Sequence, residues 1–140
     1  MIKLSILTGL TREQYVVITT LWVMTGIASP QRGDSYEAVC HTLANGGRII
    51  LALWDDIPVG TTWLTHDFRR LYIHHMAVHP QYQNKGIGKR LMEEALSIAK
   101  ELKLQAKLEV HCQNKAAYKL YRKYGFITLE GYHTMIKRDT

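Results

Sequence analysis

Three apolar runs joined by short polar turns constrain the fold of this 140-residue chain more than any other feature. The runs are RIILALW, VGTTWLT and LYIHHMAV, and the turns DDIP and HDFRR separate them. Connections this short join antiparallel strands, whereas parallel strands need a longer crossover. The middle of the chain, from Arg48 to Val78, is therefore predicted to be an antiparallel three-stranded unit.

An amphipathic helix and a further strand are predicted next. From Gly86 to about Leu102 the apolar residues recur at helical spacing, and charged residues occupy the other face. The following run, AKLEVH, is typical of a strand. A strand, a helix and a strand in succession place the two strands parallel. The predicted fold class is therefore α/β, with a mixed, mostly antiparallel central sheet.

Capping signals place the elements before this region. IKLSIL is a candidate first strand. Thr11 with Gln14 three residues later is a capping box for a helix that runs to about Met24. Asp34 with Glu37 repeats the pattern and predicts a second, shorter helix that ends at NGG.

The last third of the chain contains one more helix signal. A helix is predicted from Asn114 to Tyr124, because Asn is a good N-cap and Gly125 a good stop signal. FITL and YHTMIK are predicted to be closing strands. With about four helices and no linker or repeat, residues 1–140 are expected to form a single domain.

Composition limits the possible environments and partners. Hydrophobic residues make up 46% of the chain and charged residues 21%, as in ordinary globular proteins. The sequence lacks a membrane-length apolar run and a secretory signal, so no membrane association is expected. Cys40 and Cys112 are predicted to be reduced thiols in a cytoplasmic protein. The net charge of +6 favours an anionic partner, either nucleic acid or a phosphorylated small molecule.

The stretch QNKGIGKR, at the predicted start of the long helix, favours binding of a phosphorylated molecule. It does not match the P-loop pattern, and Leu91 replaces the third glycine of the dinucleotide fingerprint. The amides in the first turn of a helix lack internal partners and carry a partial positive charge. Gly86 and Gly88 would let an anion approach the amides from Lys85 to Lys89.

Two motifs resemble the signatures of the GNAT superfamily of N-acetyltransferases. Gln83, Gly86 and Gly88 match its (Q/R)xxGx(G/A) loop. About 30 residues later, the family's Asn-x-x-Ala-x-x-x-Tyr pattern, followed by Gly-Phe, is matched in NKAAYKLYRKYGF. The resemblance implies a GNAT-like acyl-CoA N-acyltransferase fold with a splayed parallel strand pair. It also implies acetyl-CoA as co-substrate, with no metal.

The resemblance further implies which residues bind acetyl-CoA. The strand before the glycine loop would bind the pantetheine arm, the loop would hold the pyrophosphate, and the later helix would complete the site. The implied binding residues are Met76, Ala77, Val78, Gln83, Asn84, Lys85, Gly86, Ile87, Gly88, Lys89, Asn114, Ala117 and Tyr121.

Catalysis in this family transfers the acetyl group directly to an amine. By resemblance Tyr121 is the general acid that protonates the departing thiolate. The general base is less defined, because Tyr72 stands where some members carry a carboxylate. In a regular strand His74 shares a face with Tyr72, while His75 lies on the other face, which makes His74 the candidate base. A bulge would exchange the two histidines, and a water relay is a further alternative.

The acceptor is the least determined feature. Residues 20–40 are expected to form its wall, with aromatic surface from Trp22, Tyr36 and Trp63 and acidic groups from Asp34 and Glu37. A small primary amine is favoured, because the chain has no long insertion that would recognise a larger substrate. An amino acid, an aminoglycoside and a protein amino group remain alternatives.

The sequence is also compatible with other functions and assembly states. The alternatives are a non-catalytic CoA-binding sensor and a basic nucleic-acid-binding module. Nucleic acid is not the expected partner, because the basic residues are dispersed and no aromatic stacking motif accompanies them. The histidines lack the spacing of a metal site. A homodimer is possible.

Overall fold

A computed structural model describes residues 1–27 and 33–140 of the chain. Their contacts divide them into two compact units, Met1–Glu109 and Val110–Thr140. In the described residues no helix has the length and apolar character needed to cross a membrane.

The first unit is built on a five-stranded sheet. Its strands lie in the order β1-β2-β3-β4-β5. The pairs β1–β2, β2–β3 and β3–β4 are antiparallel, and the pair β4–β5 is parallel. The mixed, mostly antiparallel sheet predicted from turn lengths is confirmed. The strands are β1 (Ile2–Leu7), β2 (Arg48–Trp54), β3 (Ile57–His66), β4 (Arg70–Val78) and β5 (Gln105–Leu108).

Three helices accompany this sheet: α1 (Arg12–Met24), α2 (Tyr36–Ala44) and α3 (Ile87–Leu102). The capping box of α1 is present, since the Thr11 hydroxyl accepts from the Gln14 amide at 3.1 Å and the Gln14 side chain accepts from the Thr11 amide at 2.9 Å. The predicted cap of α2 is wrong by one residue. Ser35 caps this helix by accepting from the amide of Ala38, which leaves the carboxylate of Asp34 for another partner.

The core of the first unit includes a cluster contributed by α1, α2 and the sheet. Ile18, Trp22 and Val39 from the helices pack with Ile49 and Trp63 from the strands. This cluster fixes the position of the two helices beside β3 and β4.

The N-terminal end of α3 packs closely against the sheet at Gly60. A Cβ at this position would come within 2.8 Å of Ile87 Cγ2 and 3.3 Å of the Ala77 carbonyl oxygen. Only glycine therefore allows the start of α3 to approach β3 this closely.

The second unit contains α4 (Lys115–Lys123), which Asn114 caps by accepting from the amide of Ala117 at 3.2 Å. The predicted closing strands are not formed, because residues 127–140 contain no strand. Ile127, Met135 and Ile136 are exposed, so their strand propensity is not supported by burial or a hydrogen-bonded ladder. The strand predicted from AKLEVH also ends early, at Leu108.

Candidate functional site

A β-bulge interrupts β4 at its histidine pair. The ladder pairs Trp63 with His74 and then shifts, so that His75 and Met76 lie opposite the single residue Thr62. His75 has a φ of +49°, which is uncommon for a non-glycine residue. The buried Thr62 hydroxyl donates to the His74 carbonyl at 3.0 Å. The bulge is therefore held by a side chain from the neighbouring strand.

The bulge brings both histidines to the side of the sheet that faces α1. The ring centroids of His74 and His75 are 6.4 Å apart, and they lie 5.3 and 5.6 Å from the ring of Trp63. The prediction for a regular strand, with the two histidines on opposite faces, is wrong. A bulge was the stated alternative, but instead of exchanging the histidines it gathers them on one face.

His74 is half-buried, and its charge state follows from its surroundings. Its Nε2 lies 2.8 Å from the hydroxyl oxygen of Thr65. Burial, reinforced by the nearby His75, lowers the pKa of His74 from 6.5 to about 4. The ring is thus neutral at pH 7 and has a lone pair that can accept a proton.

His75 pairs with Asp34, a contact that spans 41 residues of sequence. Its Nε2 lies 2.8 Å from the Asp34 carboxylate, and the two side chains are 14% and 9% exposed. The edge of the His75 ring meets Trp22 at a centroid distance of 4.7 Å. The hydroxyl of Tyr15 donates to the Asp34 carbonyl at 2.5 Å. Sequence reasoning missed this pair because it read Asp34 as a helix signal.

The glycine loop connects β4 to α3. A single 3-10 turn, Pro80–Tyr82, follows β4, and the side-chain amide of Gln83 donates to the Val78 carbonyl at 3.2 Å. Asn84 and Gly86 both have left-handed backbones, with φ of +63° and +84°. The space beside Gly86 is open, with no atom within 4 Å of a hypothetical Cβ.

Backbone amides are presented where α3 begins. The Arg90 amide makes the first helical hydrogen bond, to the Gly86 carbonyl at 3.1 Å. Helical geometry therefore leaves the preceding amides, from Ile87 to Lys89, without acceptors four residues back. The Ile87 side chain is buried, so this residue could contribute to a ligand only through its backbone. The ammonium of Lys85 lies 5.6 Å from the centre of the Trp54 ring.

The second motif lies on α4. Tyr121 is half-buried, and burial raises the pKa of its hydroxyl above the ordinary value of 10.0. The hydroxyl therefore stays protonated at neutral pH. Its ring lies 6.0 Å from that of Phe126. Ala117, half-buried on the same helix, donates its amide to the capping Asn114.

The model of the Acetyltransferase (GNAT) family matches residues 11–126, most of the chain. The chain belongs to this family. The match includes the glycine loop, the histidine pair and α4, so the resemblance found in two short motifs extends through both compact units.

Two curated GNAT relatives share part of their length with this chain. An uncharacterized N-acetyltransferase, CgeE of Bacillus subtilis strain 168, is 34% identical over 79 residues, which are 56% of this chain and 30% of that protein. The N-alpha-acetyltransferase RimI of Mycobacterium tuberculosis is 44% identical over 54 residues, which are 39% of this chain and 33% of that protein. The matched regions thus span about a third of each relative.

Solved structures of GNAT proteins share the fold. A GNAT-family acetyltransferase of Streptococcus pneumoniae TIGR4 is 29% identical, with a TM-score of 0.76 over 98% of this chain and 97% of that one. A predicted acetyltransferase of Clostridium acetobutylicum, solved with acetyl-CoA, is 18% identical, with a TM-score of 0.78 over 97% of this chain and 96% of that one.

The wall predicted for the acceptor of this GNAT protein is described in part. Trp22 is buried, and its ring stacks on Trp63 at a centroid distance of 5.8 Å. Tyr36 donates to the Leu10 carbonyl, and the exposed Glu37 pairs with Arg12. Residues 28–32 of the predicted wall lie outside the described residues. Of the two acidic residues in the predicted wall, Asp34 is the one that contacts His75.

Within residues 1–27 and 33–140, no group of three or more His, Cys, Asp or Glu side chains is arranged to hold a metal ion.

Proposed function

We propose that this protein is an acetyl-CoA-dependent N-acetyltransferase that acts on a primary amine of a small molecule. The observation that carries the proposal is the left-handed Gly86 at the open first turn of α3, directly after a bulged strand. This arrangement offers several backbone donors to a diphosphate without a Cβ in the way. Family membership supports acetyl-CoA as the ligand that carries the diphosphate.

The proposed acetyl-CoA site uses the residues predicted from the family motifs. Backbone groups of β4 from Met76 to Val78 would bind the pantetheine arm, and residues 83–89 would hold the diphosphate. Asn114, Ala117 and Tyr121 would contribute from α4 and its cap. The match across residues 11–126 supports the view that both units serve one domain.

The proposed reaction begins with loss of a proton from the acceptor. A primary amine near its ordinary pKa of about 10.4 is protonated at neutral pH, so it must be deprotonated before it can attack. The neutral ring of His74 accepts this proton. If the Nε2–H of His74 donates to Thr65, then Nδ1 carries the lone pair that receives it.

The amine nitrogen then attacks the thioester carbonyl. A carbon–nitrogen bond forms, and the carbonyl oxygen becomes an oxyanion that the Met76 amide stabilises. Collapse of this intermediate breaks the carbon–sulfur bond, and the Tyr121 hydroxyl donates its proton to the CoA thiolate. Tyr121 is protonated at neutral pH, which is the form that a proton donor needs.

The acceptor is proposed to approach from the face that carries Trp22, Trp63 and the two histidines. Among the described residues, the buried Trp22 Nε1–H and Thr61 hydroxyl have no hydrogen-bond partner. Buried polar groups are normally paired, so these two groups are unusual, although both residues are fully buried. A protein amino group is the second candidate acceptor, since one partial relative is an N-alpha-acetyltransferase.

The test is a screen of amines with purified protein and acetyl-CoA, in which release of the CoA thiol is measured. Small amines, amino acids, aminoglycosides and peptide N-termini form its separate arms. Saturable thiol release with a small amine supports the proposal, and release with peptides alone favours the protein acceptor. CoA binding without turnover in any arm favours a sensor. Salt-sensitive RNA binding without a response to CoA favours a nucleic-acid module.

The proposed setting is cytoplasmic, and a homodimer remains possible. The free thiols of Cys40 and Cys112 support a reducing compartment.

A further inference from the structure

We propose that Asp34 and His75 form a positioning pair that holds the His74 imidazole in place by fixing the β4 bulge to the segment before α2. The inference rests on the proposed function, in which His74 receives the proton of the acceptor amine. It assigns no bond-making step to Asp34 or His75.

The contact between Asp34 and His75 is short and largely buried. Asp34 and His75 meet at 2.8 Å with little exposure of either side chain. A buried carboxylate needs a hydrogen-bond donor, and His75 provides one. Tyr15 holds the Asp34 backbone in addition, through its hydroxyl. Asp34 is therefore fixed at its carbonyl and at its carboxylate.

The backbone at His75 connects this pair to His74. His75 adopts a left-handed conformation that non-glycine residues avoid, and such strain persists where the surrounding structure over-determines it. The Asp34 contact and the edge of Trp22 both hold the His75 ring. Because His74 is the preceding residue, fixing the backbone at His75 also fixes the direction in which the His74 side chain points.

His74 is held independently by β3. Thr62 binds its carbonyl, and Thr65 binds its Nε2. The pair with Asp34 adds a constraint from the segment before α2. Each histidine thus has its Nε2 engaged, that of His74 by Thr65 and that of His75 by Asp34.

The groups around His74 make its pKa a measure of the Asp34–His75 pair. Tyr72 stacks on His74 at 6.2 Å from the same strand, and β3 presents the neutral Thr65 and Trp63. The ladder partner of Tyr72 on β5, Lys107, is exposed. The Asp34 carboxylate raises the pKa of His74, while burial and His75 lower it. Loss of the carboxylate should therefore lower this pKa further.

The test compares Asp34→Ala, which removes both the acceptor atom and the charge, with Asp34→Asn, which removes the charge alone. With the amine identified by the screen, Asp34→Ala should lower kcat about tenfold or more and leave the KM for acetyl-CoA within about twofold. Asp34→Asn should retain more of kcat. His75→Gln keeps a donor near the Nε2 position and should exceed His75→Ala in kcat.

The matched control is Glu101→Gln, which removes an exposed carboxylate paired with Arg48 near the end of α3. It should behave as wild type. The His74 pKa, followed by NMR of the ring carbons in free protein, should fall in Asp34→Ala and in Asp34→Asn but not in the control.

Two results would overturn the proposal. One is an unchanged His74 titration in both Asp34 variants, and the other is a kcat in Asp34→Ala equal to that of Glu101→Gln. The NMR measurement needs no turnover, so it tests the pair even if the wild-type protein acetylates no amine. If Asp34→Ala does not fold, Asp34→Asn and His75→Gln still provide both readouts.

Discussion

At the scale of single residues, His74 and Tyr121 differ in the direction of their pKa shifts although burial is the main cause of both. Burial disfavours the charged form, which is the imidazolium of His74 and the phenolate of Tyr121. The first group is therefore kept neutral with a free lone pair, and the second is kept neutral with its proton. These are the states that a proton acceptor and a proton donor require at the start of acetyl transfer.

The lowered pKa of His74 predicts a pH-dependent contribution to stability. In the unfolded chain this histidine takes up its proton near pH 6.5, but in the folded chain only near pH 4. Between these values the unfolded state binds more protons, so the free energy of unfolding should rise with pH and level off above about 6.5. The contribution should be on the order of 1–3 kcal/mol.

Urea unfolding between pH 4 and 7 measures this contribution. His74→Gln should flatten the dependence relative to wild type. Replacement of the exposed His133 by Gln is the control and should leave the slope unchanged. An equal slope in His74→Gln and wild type would contradict the prediction.

A second residue-scale prediction concerns the hydroxyl of Tyr121. Tyr121→Phe keeps the ring and removes the proposed proton donor, so kcat should fall about a hundredfold while CoA affinity stays near wild type. Tyr118→Phe is a matched control on α4, because Tyr118 is 44% exposed and bonds to Thr128. Steady-state kinetics and calorimetry provide the two measurements. Equal kcat in both variants would remove Tyr121 from the mechanism.

At the scale of elements, the junction between β4 and α3 combines two irregularities. The bulge at His75 redirects side chains on one side of the sheet, and the left-handed Gly86 opens the first turn of α3. Gly60 lets the start of α3 lie directly against β3. The amides of the glycine loop are therefore supported by the core, which reduces the ordering cost of binding a diphosphate.

Gly86→Ala tests this junction. The space beside Gly86 is open, but a left-handed backbone with a Cβ costs about 1–2 kcal/mol. We expect a lower melting temperature and about tenfold weaker CoA binding, because the loop amides change direction. Gly9→Ala is the control, since Gly9 also lies in open space and has no left-handed φ. Calorimetry that finds unchanged CoA affinity in Gly86→Ala would contradict the proposed diphosphate site.

The sequence predicted those elements whose signals lie close together in the chain. The capping box at Thr11, the three-stranded unit and the amphipathic α3 were predicted, because each follows from residues close together in the chain. The family motifs predicted the glycine loop in the same way. The pairing of Asp34 with His75 was missed, because nothing local joins residues 41 apart. The segments FITL and YHTMIK have suitable composition, but a strand also needs a partner and burial.

At the scale of the whole molecule, the excess of positive charge supports an anionic ligand. The chain carries a net charge of +6, and CoA carries several phosphate charges. Lys85, Lys89 and Arg90 lie at the glycine loop, and all three side chains are exposed. The general charge and the local loop therefore favour the same class of partner.

Ligand-dependent melting separates this interpretation from binding of nucleic acid. A ligand that binds the folded state alone stabilises it by about 2.7 kcal/mol at a hundred times its Kd. CoA should raise the melting temperature progressively, and added salt should reduce the shift. A single-stranded RNA at equal phosphate concentration should have little effect. The reverse pattern would support the nucleic-acid module instead.

The stacked indoles of Trp22 and Trp63, with the His75 ring 4.7 Å from the first, provide an optical consequence of the fold. An imidazole in contact with an indole quenches its emission. His75→Ala should therefore increase the fluorescence of the two buried tryptophans. Trp54, beside Lys85, lies near the glycine loop and is a separate reporter. The chain thus has intrinsic fluorescent reporters near both the histidine pair and the glycine loop, without an added dye.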